Sequence, residues 1–274
     1  MNKSISKIIR PIYLNFRKVF LNNIIVSKYL LRRIITNKVE NQICPICNSN
    51  SINSLNFYFE QTNIIKFFCK NCGHIFTNNL RGNVDKGFEL FNYYSENEHI
   101  NFQKYLLLLL EKETRNYKIK NRKLLDFGIG GNYSHLIELN QYFNDVVFEG
   151  CDIYPSDKKF YFQVYVDKSK IGIFDGIASN AVIEHLDDTI NSWIYLNRLL
   201  KPVEGGGGIM IHAFPSQINE DYLHWAIQIK SHECLFSKKS LFLTCQKTGF
   251  QFLKVKFSPF VEHPIFYFKK ILDI

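Results

Sequence analysis

Lys123–Asn132 reads KLLDFGIGGN. Leu124 and Leu125 supply the apolar run of a buried parallel strand, and Asp126 stands at its carboxyl end. Gly128 and Gly130 follow at alternate positions, opening the helical pattern Tyr133–Phe143. In an open α/β sheet ligands sit beyond the carboxyl ends of the strands, where glycines let them approach the backbone. One such turn is weak evidence, since any parallel strand can end in Asp and Gly. The order of the elements after it decides.

Phe148–Asp152 (FEGCD) ends a second apolar run with an acid, and Phe162–Asp167 ends a third in the same way. Phe174–Leu186, FDGIASNAVIEHL, gives a strand ending at Asn180 with an acid–histidine pair after it. The helical pattern Thr189–Lys201 leads into KPVEGGGG and the strand Ile209–Phe214. His232–Phe250, HECLFSKKSLFLTCQKTGF, precedes two β-rich runs. From about Lys120 onward this order resembles the class I S-adenosylmethionine-dependent methyltransferases. Members of that family carry an acid-x-Gly-x-Gly turn, an acid after the second strand, an FD-I-S…EHL fourth strand and an LKPGG turn before the fifth. The resemblance implies an α/β, Rossmann-like, seven-stranded sheet, parallel with one antiparallel strand. Asn132 replaces the usual third glycine, and Val203 and Glu204 interrupt the Lys-Pro-Gly-Gly turn.

A dinucleotide fingerprint starting at Gly128 would need a small residue at position 133, where strand and helix pack closely. Tyr133 stands there. S-adenosylmethionine has no phosphate and carries a sulfonium, so close backbone and acids suit it better than an anion nest. The resemblance places Asp126, Gly128 and Gly130 around its methionine and ribose parts. It places Asp152 on the ribose hydroxyls, Asp167 near the adenine edge and Asn180 at the methionine end. A hydroxyl acceptor also needs a base. His185, His212, His224 and His232 are candidates; His185 comes first because it follows the fourth strand, with His232 second because it precedes the F-S-x-x-x-L segment. For any of them, orienting a loop is the plainer role.

Cys44-Pro-Ile-Cys47 and Cys69-Lys-Asn-Cys72 are separated by 21 residues. Two C-x-x-C pairs at this distance suit a tetrahedral zinc site, each pair on a tight knuckle, with a hairpin of Phe57–Phe59 and Ile64–Phe68 between them. Four thiolates close the shell, so the zinc expected here is structural. His74 is expected to lie nearby at the surface or behind the ligands. Cys151, Cys234 and Cys245 read as ordinary buried thiols.

The formal charge of +9 over 274 residues is concentrated at one end. Residues 1–40 hold nine Lys or Arg against Glu40 alone, or +8, which leaves +1 for the other 234. Ile5, Ile8, Ile9, Ile12, Phe16, Val19, Phe20, Ile24, Tyr29, Leu31, Ile34 and Ile35 recur at helical steps through this basic segment. Such a helix can lie on an anionic membrane surface, dock on the protein's own core or bind nucleic acid. No apolar run reaches the length needed to span a bilayer, and the two C-x-x-C pairs favour a reducing compartment. The expected location is cytoplasmic, peripheral at the inner membrane face. The chain divides into a basic helical segment (1–40), a zinc ribbon (41–82), a helical connector (83–119) and the methyltransferase domain (120–274). Within the connector, Ile100–Tyr117 is helical in pattern. Tyr93–Ser95 resembles the mobile lid of related enzymes and reads equally well as a plain connector.

Three functions compete. The leading one is methyl transfer to a sugar or a lipid-linked glycan intermediate of surface polysaccharide biosynthesis, because zinc-ribbon methyltransferases with a basic amphipathic start are similar to enzymes of that setting. An RNA base methyltransferase is the second, but the zinc and catalytic regions lack the positive surface that phosphate demands. The third is a non-catalytic relative that binds cofactor or a partner.

Overall fold

The computed structural model describes residues 35–39, 41–59, 62–77, 96–115, 121–130, 133–152, 161–163, 168–186, 188–217, 232–257 and 263–274. Residues 1–34, Tyr93–Ser95, Asn132, Asp167 and His224 lie outside them. In chain order the described elements begin with β1 (Ile35–Lys38), β2 (Ile52–Phe59), β3 (Thr62–Cys69), β4 (Ile75–Phe76) and α1 (Glu96–Arg115). β5 (Arg122–Phe127), α2 (Ser134–Tyr142), β6 (Val146–Asp152), β7 (Tyr161–Gln163) and β8 (Gly176–Asn180) follow. The chain closes with α3 (Thr189–Leu199), β9 (Ile209–Ala213), β10 (Cys234–Leu235), α4 (Lys238–Lys247), β11 (Phe250–Lys256) and β12 (Ile265–Lys270).

One sheet has the order β11-β12-β9-β8-β5-β6-β7, parallel except for β12, which runs against both of its neighbours. Strand order reverses between β5 and β8, and the crevice at such a reversal is where open α/β sheets bind ligands. The sheet is buried on both faces because successive residues point opposite ways. Leu124, Ala178, Ile209 and Ile211 join α1 and α2 through Leu106, Leu110, Leu136 and Leu139. Their neighbours Leu125, Ile177 and Met210 join Trp193, Leu196 and Leu199 of α3 and Leu241 of α4 on the other face. Gly176 lets α1 settle onto the sheet, since a Cβ there would lie 2.7 Å from Leu110 Cδ1. Helix ends are fixed locally: Asp188 accepts from the Asn191 amide, and Ser237 and Ser240 form a reciprocal capping box.

A second, antiparallel sheet has the order β1-β2-β3-β4-β10. Two of its strands differ from the sequence reading. Ile35–Lys38, read as the end of the basic helix, is a strand beside β2, pairing Ile35 with Leu55 and Lys38 with Asn53. β-branched Ile35 and Thr36 favour that extended pairing once a free sheet edge is present. At the other edge β10, from the far end of the chain, pairs with β4. The cysteine-bearing sheet is therefore completed by the methyltransferase region, and the 41–82 and 120–274 segments share one apolar cluster. Cys44, Ile46, Ile52 and Phe76 pack into the same core as Phe236 and Trp193.

Candidate active site

The glycine turn after β5 needs its glycines. Gly128 and Gly130 have φ of 81° and 68°, in the left-handed region. A Cβ on Gly128 would lie 2.4 Å from Val182 Cγ2, so the turn rests directly on the segment after β8. The amides of Gly128 and Ile129 donate to the Cys151 carbonyl at 2.9 and 3.1 Å. The Gly130 amide donates to Asp152 Oδ2 at 2.9 Å. The acid ending β6 is thus brought against the turn, half-buried. Asp126 is more deeply placed: 1% exposed, it meets His135 Nε2 of α2 at 2.7 Å. Asp126 braces strand to helix beneath the turn, with a partner that the sequence reading did not select. Asn180, 8% exposed, ends β8.

Beyond Asn180 the chain bends sharply. Ala181 adopts φ of 51°, held by its amide bond to the Ala213 carbonyl, and the 3-10 turn Ile183–His185 follows. This turn carries His185 to the His232 ring, with centroids 4.8 Å apart and planes at 71°. Forty-seven positions separate these histidines in the chain, so the fold brings the two candidates together. Two further groups join them. Glu184 is 1% exposed, neither carboxylate oxygen is hydrogen-bonded by another described residue, and burial, opposed by its own backbone amide, pushes its carboxyl up to about 8. His263 is buried, and burial together with the nearby His185 pushes it down to about 4.

His212 does not belong to this group. It is fully buried in β9, with Nδ1 2.5 Å from Ser179 Oγ and its ring between Trp193 and Phe268. Burial pushes it down to about 3. It packs the core, and its candidacy as a base is withdrawn.

The four cysteines of the two C-x-x-C pairs are unbridged, and their sulfurs all lie within 4.8 Å of one another. Cys44 to Cys72 is 3.6 Å and Cys47 to Cys69 is 3.5 Å. Zinc–sulfur bonds of about 2.3 Å in a tetrahedron put sulfurs about 3.8 Å apart, so this donor set could hold zinc with little adjustment. Hydrogen bonding to Cys72 lowers the Cys44 thiol, while Cys44 raises Cys72, and a bound cation would favour the thiolate form of all four. Positive φ at Asn48 (59°) and Gly73 (73°) turns each knuckle. The second knuckle is gripped from the methyltransferase region: Ser237 Oγ donates to the Cys72 carbonyl and Gln217 Nε2 to that of Gly73, each at 2.5 Å. His74 is fully buried, not at the surface, and lies between Phe76 and Phe236.

Lys66, on β3 and fully buried, donates to the His232 carbonyl. The cysteine sheet thereby touches the backbone of a candidate catalytic histidine. Neither Lys66 nor Glu184 was selected from the sequence. An acid directly before His185 was visible there, but its burial depends on β10, some fifty residues away, whose Cys234 Sγ donates to the Ile183 carbonyl.

The methyltransferase-domain family matches residues 85–255, more than half of the chain. The chain belongs to that family, and it is a class I S-adenosylmethionine-dependent methyltransferase. Among solved structures it is similar to a putative sarcosine dimethylglycine methyltransferase from Galdieria sulphuraria, with 14% identity, a TM-score of 0.45, and 65% of this chain and 91% of that one covered. The [4+2]-cyclase SpnF gives 13%, 0.46, 62% and 81%. The antibiotic-resistance methyltransferase Kmr gives 13%, 0.40, 56% and 88%. No curated protein matches the sequence. No helix among the described residues is long and apolar enough to cross a membrane.

Proposed function

We propose that the enzyme methylates a hydroxyl of a sugar or a lipid-linked glycan intermediate in surface polysaccharide biosynthesis. The observation that carries this reading is the His185–His232 pair, set beside the carboxyl end of β8 where the methyl end of the cofactor and the acceptor would meet. An amine or thiol acceptor can attack without strong assistance, whereas a sugar hydroxyl must lose its proton, and paired imidazoles suit that task. The near-neutral charge outside residues 1–40 fits a glycan better than RNA.

The cofactor residues follow from the turn. Gly128 and Gly130 leave the backbone open to close approach, Asp152 at the end of β6 would accept hydrogen bonds from the ribose hydroxyls, and Asn180 would face the methionine end. Asp167 would take the adenine edge. When bound, S-adenosylmethionine supplies the sulfonium methyl. The residues of the crevice would hold the acceptor oxygen in line with it. Asp126 contributes by fixing the turn through His135. Cys44, Cys47, Cys69 and Cys72 would hold one structural zinc, with no open position for chemistry. Residues 1–34 would rest on anionic lipid at the cytoplasmic membrane face, where lipid-linked acceptors are presented. Binding to vesicles that rises with anionic lipid and falls with salt is the expected sign of this.

Methyl transfer assayed in parallel on free nucleotide sugars, lipid-linked glycans and RNA tests the reading. Transfer to a saccharide hydroxyl is expected; transfer to RNA alone would replace it with the nucleic-acid reading.

A further inference from the structure

Glu184 is the acid of the EHL run after β8. It is 1% exposed in the 3-10 turn after β8, and no other described residue is hydrogen-bonded to either oxygen; only its own backbone amide reaches the carboxyl. Burying a carboxyl with no partner from another residue costs free energy, and an ion or other ligand is one way such a group is satisfied. Its neighbours supply the complement. One donor atom each from Glu184, His185 and His232 lie within 4.8 Å of one another. A cation about 2.1 Å from each would need donors about 3–4 Å apart, so modest closure of these side chains completes the set. His232 is also fixed from behind by Lys66 on its carbonyl.

We infer that Glu184, His185 and His232 bind a divalent first-row transition-metal ion at the acceptor side of the crevice, in a site separate from the four cysteines. Two imidazoles and one carboxylate suit manganese, iron, cobalt or zinc, whereas magnesium and calcium favour all-oxygen sites. Three protein donors leave coordination positions open for an acceptor oxygen, unlike the closed four-sulfur cluster. The inference deepens the proposed function and rests on it for its role. A sugar hydroxyl bound to the ion gives its proton to crevice water more readily, because the cation stabilises the resulting alkoxide. With the ion bound, the two histidines promote loss of the acceptor proton as ligands of the ion instead of taking it up directly as the base.

Manganese is a suitable probe, since it binds nitrogen and oxygen donors and competes poorly for thiolates. Full-length protein, with its cysteine-bound metal left in place, is titrated with Mn²⁺ alone and followed by electron paramagnetic resonance. One Mn²⁺ per chain is expected. Glu184→Gln, which keeps shape and removes charge, and His185→Gln, on the half-buried turn, should each raise the manganese Kd at least about tenfold. Circular dichroism and the zinc content of each variant report that fold and cysteine cluster are intact. No manganese binding by the wild-type chain, or binding equally tight in both folded variants, would overturn the site. Because no acceptor enters the titration, failure here is distinct from failure of the glycan reading, which the transfer assay judges separately.

Discussion

Lys66 Nζ, on a strand between the two cysteine pairs, donates a hydrogen bond to the carbonyl of His232 at 2.5 Å. The contact joins the cysteine sheet to the backbone of His232 through a fully buried lysine. Lys66→Met removes this buried hydrogen bond, a loss of about 1–3 kcal/mol. We expect that destabilisation in urea unfolding, together with reduced kcat and unchanged cofactor affinity. The lysine also has a pH signature. Burial pushes it down to about 8, so between that value and 10.5 the unfolded chain binds a proton that the folded chain does not. Stability should therefore rise with pH across this window in the wild type, and the Lys66→Met variant should lack that rise.

Acid should act through the buried histidines. Burial holds His74 and His212 down to about 3 and His263, with help from His185, down to about 4. Below the ordinary histidine value of 6.5 the unfolded chain takes up protons that the folded chain refuses. Stability should fall as pH drops from about 6.5 towards 4. Urea midpoints taken across that range should show the decline, and His212→Gln should make it shallower.

The cysteine cluster should not behave as a detachable module. Its sheet takes β10 as an edge strand, its knuckle is held by Ser237 and Gln217, and its core residues pack with Phe236 and Trp193. Cys69→Ser should abolish the proposed zinc binding and lower the melting temperature of the whole chain in a single transition. Two separate calorimetric transitions, with only one of them shifted, would show independent units instead.

Gly128→Ala tests the turn. Left-handed backbone costs an alanine about 1–2 kcal/mol, and the clash with Val182 adds about 1–3 kcal/mol. The variant should unfold at lower urea and bind S-adenosylmethionine more weakly. Gly128→Ala combined with Val182→Ala should recover part of the stability, because only the steric share is relieved.

The parallel sheet was legible because its signals are local. The apolar run Leu124–Leu125, the glycines after Asp126 and the helical spacing after Tyr133 lie within a few residues of one another, and the elements follow in the order observed. Within the four cysteines, two short spacings sufficed to group them. Contacts between distant segments were not legible. Nothing in the local pattern of Ile35–Lys38 tells a helix stripe from an edge strand, and the two residues of Cys234–Leu235 are too short a run to announce a strand. His212 looked like a base because sequence shows a histidine's position and not its burial between Trp193 and Phe268. Glu184 and Lys66 gain their interest from burial alone, which packing across the two sheets creates.

Calorimetric titration of S-adenosylmethionine into wild type and Asp152→Ala reads the cofactor site itself. The Gly130 amide bonds Asp152 and fixes it at the end of β6, beside the glycine turn. The wild-type chain should bind one cofactor molecule, and the variant should bind it more weakly by about 1.5–3 kcal/mol, the range for hydrogen bonds to a charged group. Unchanged affinity in the variant, or binding of a nicotinamide dinucleotide in place of S-adenosylmethionine, would contradict the account.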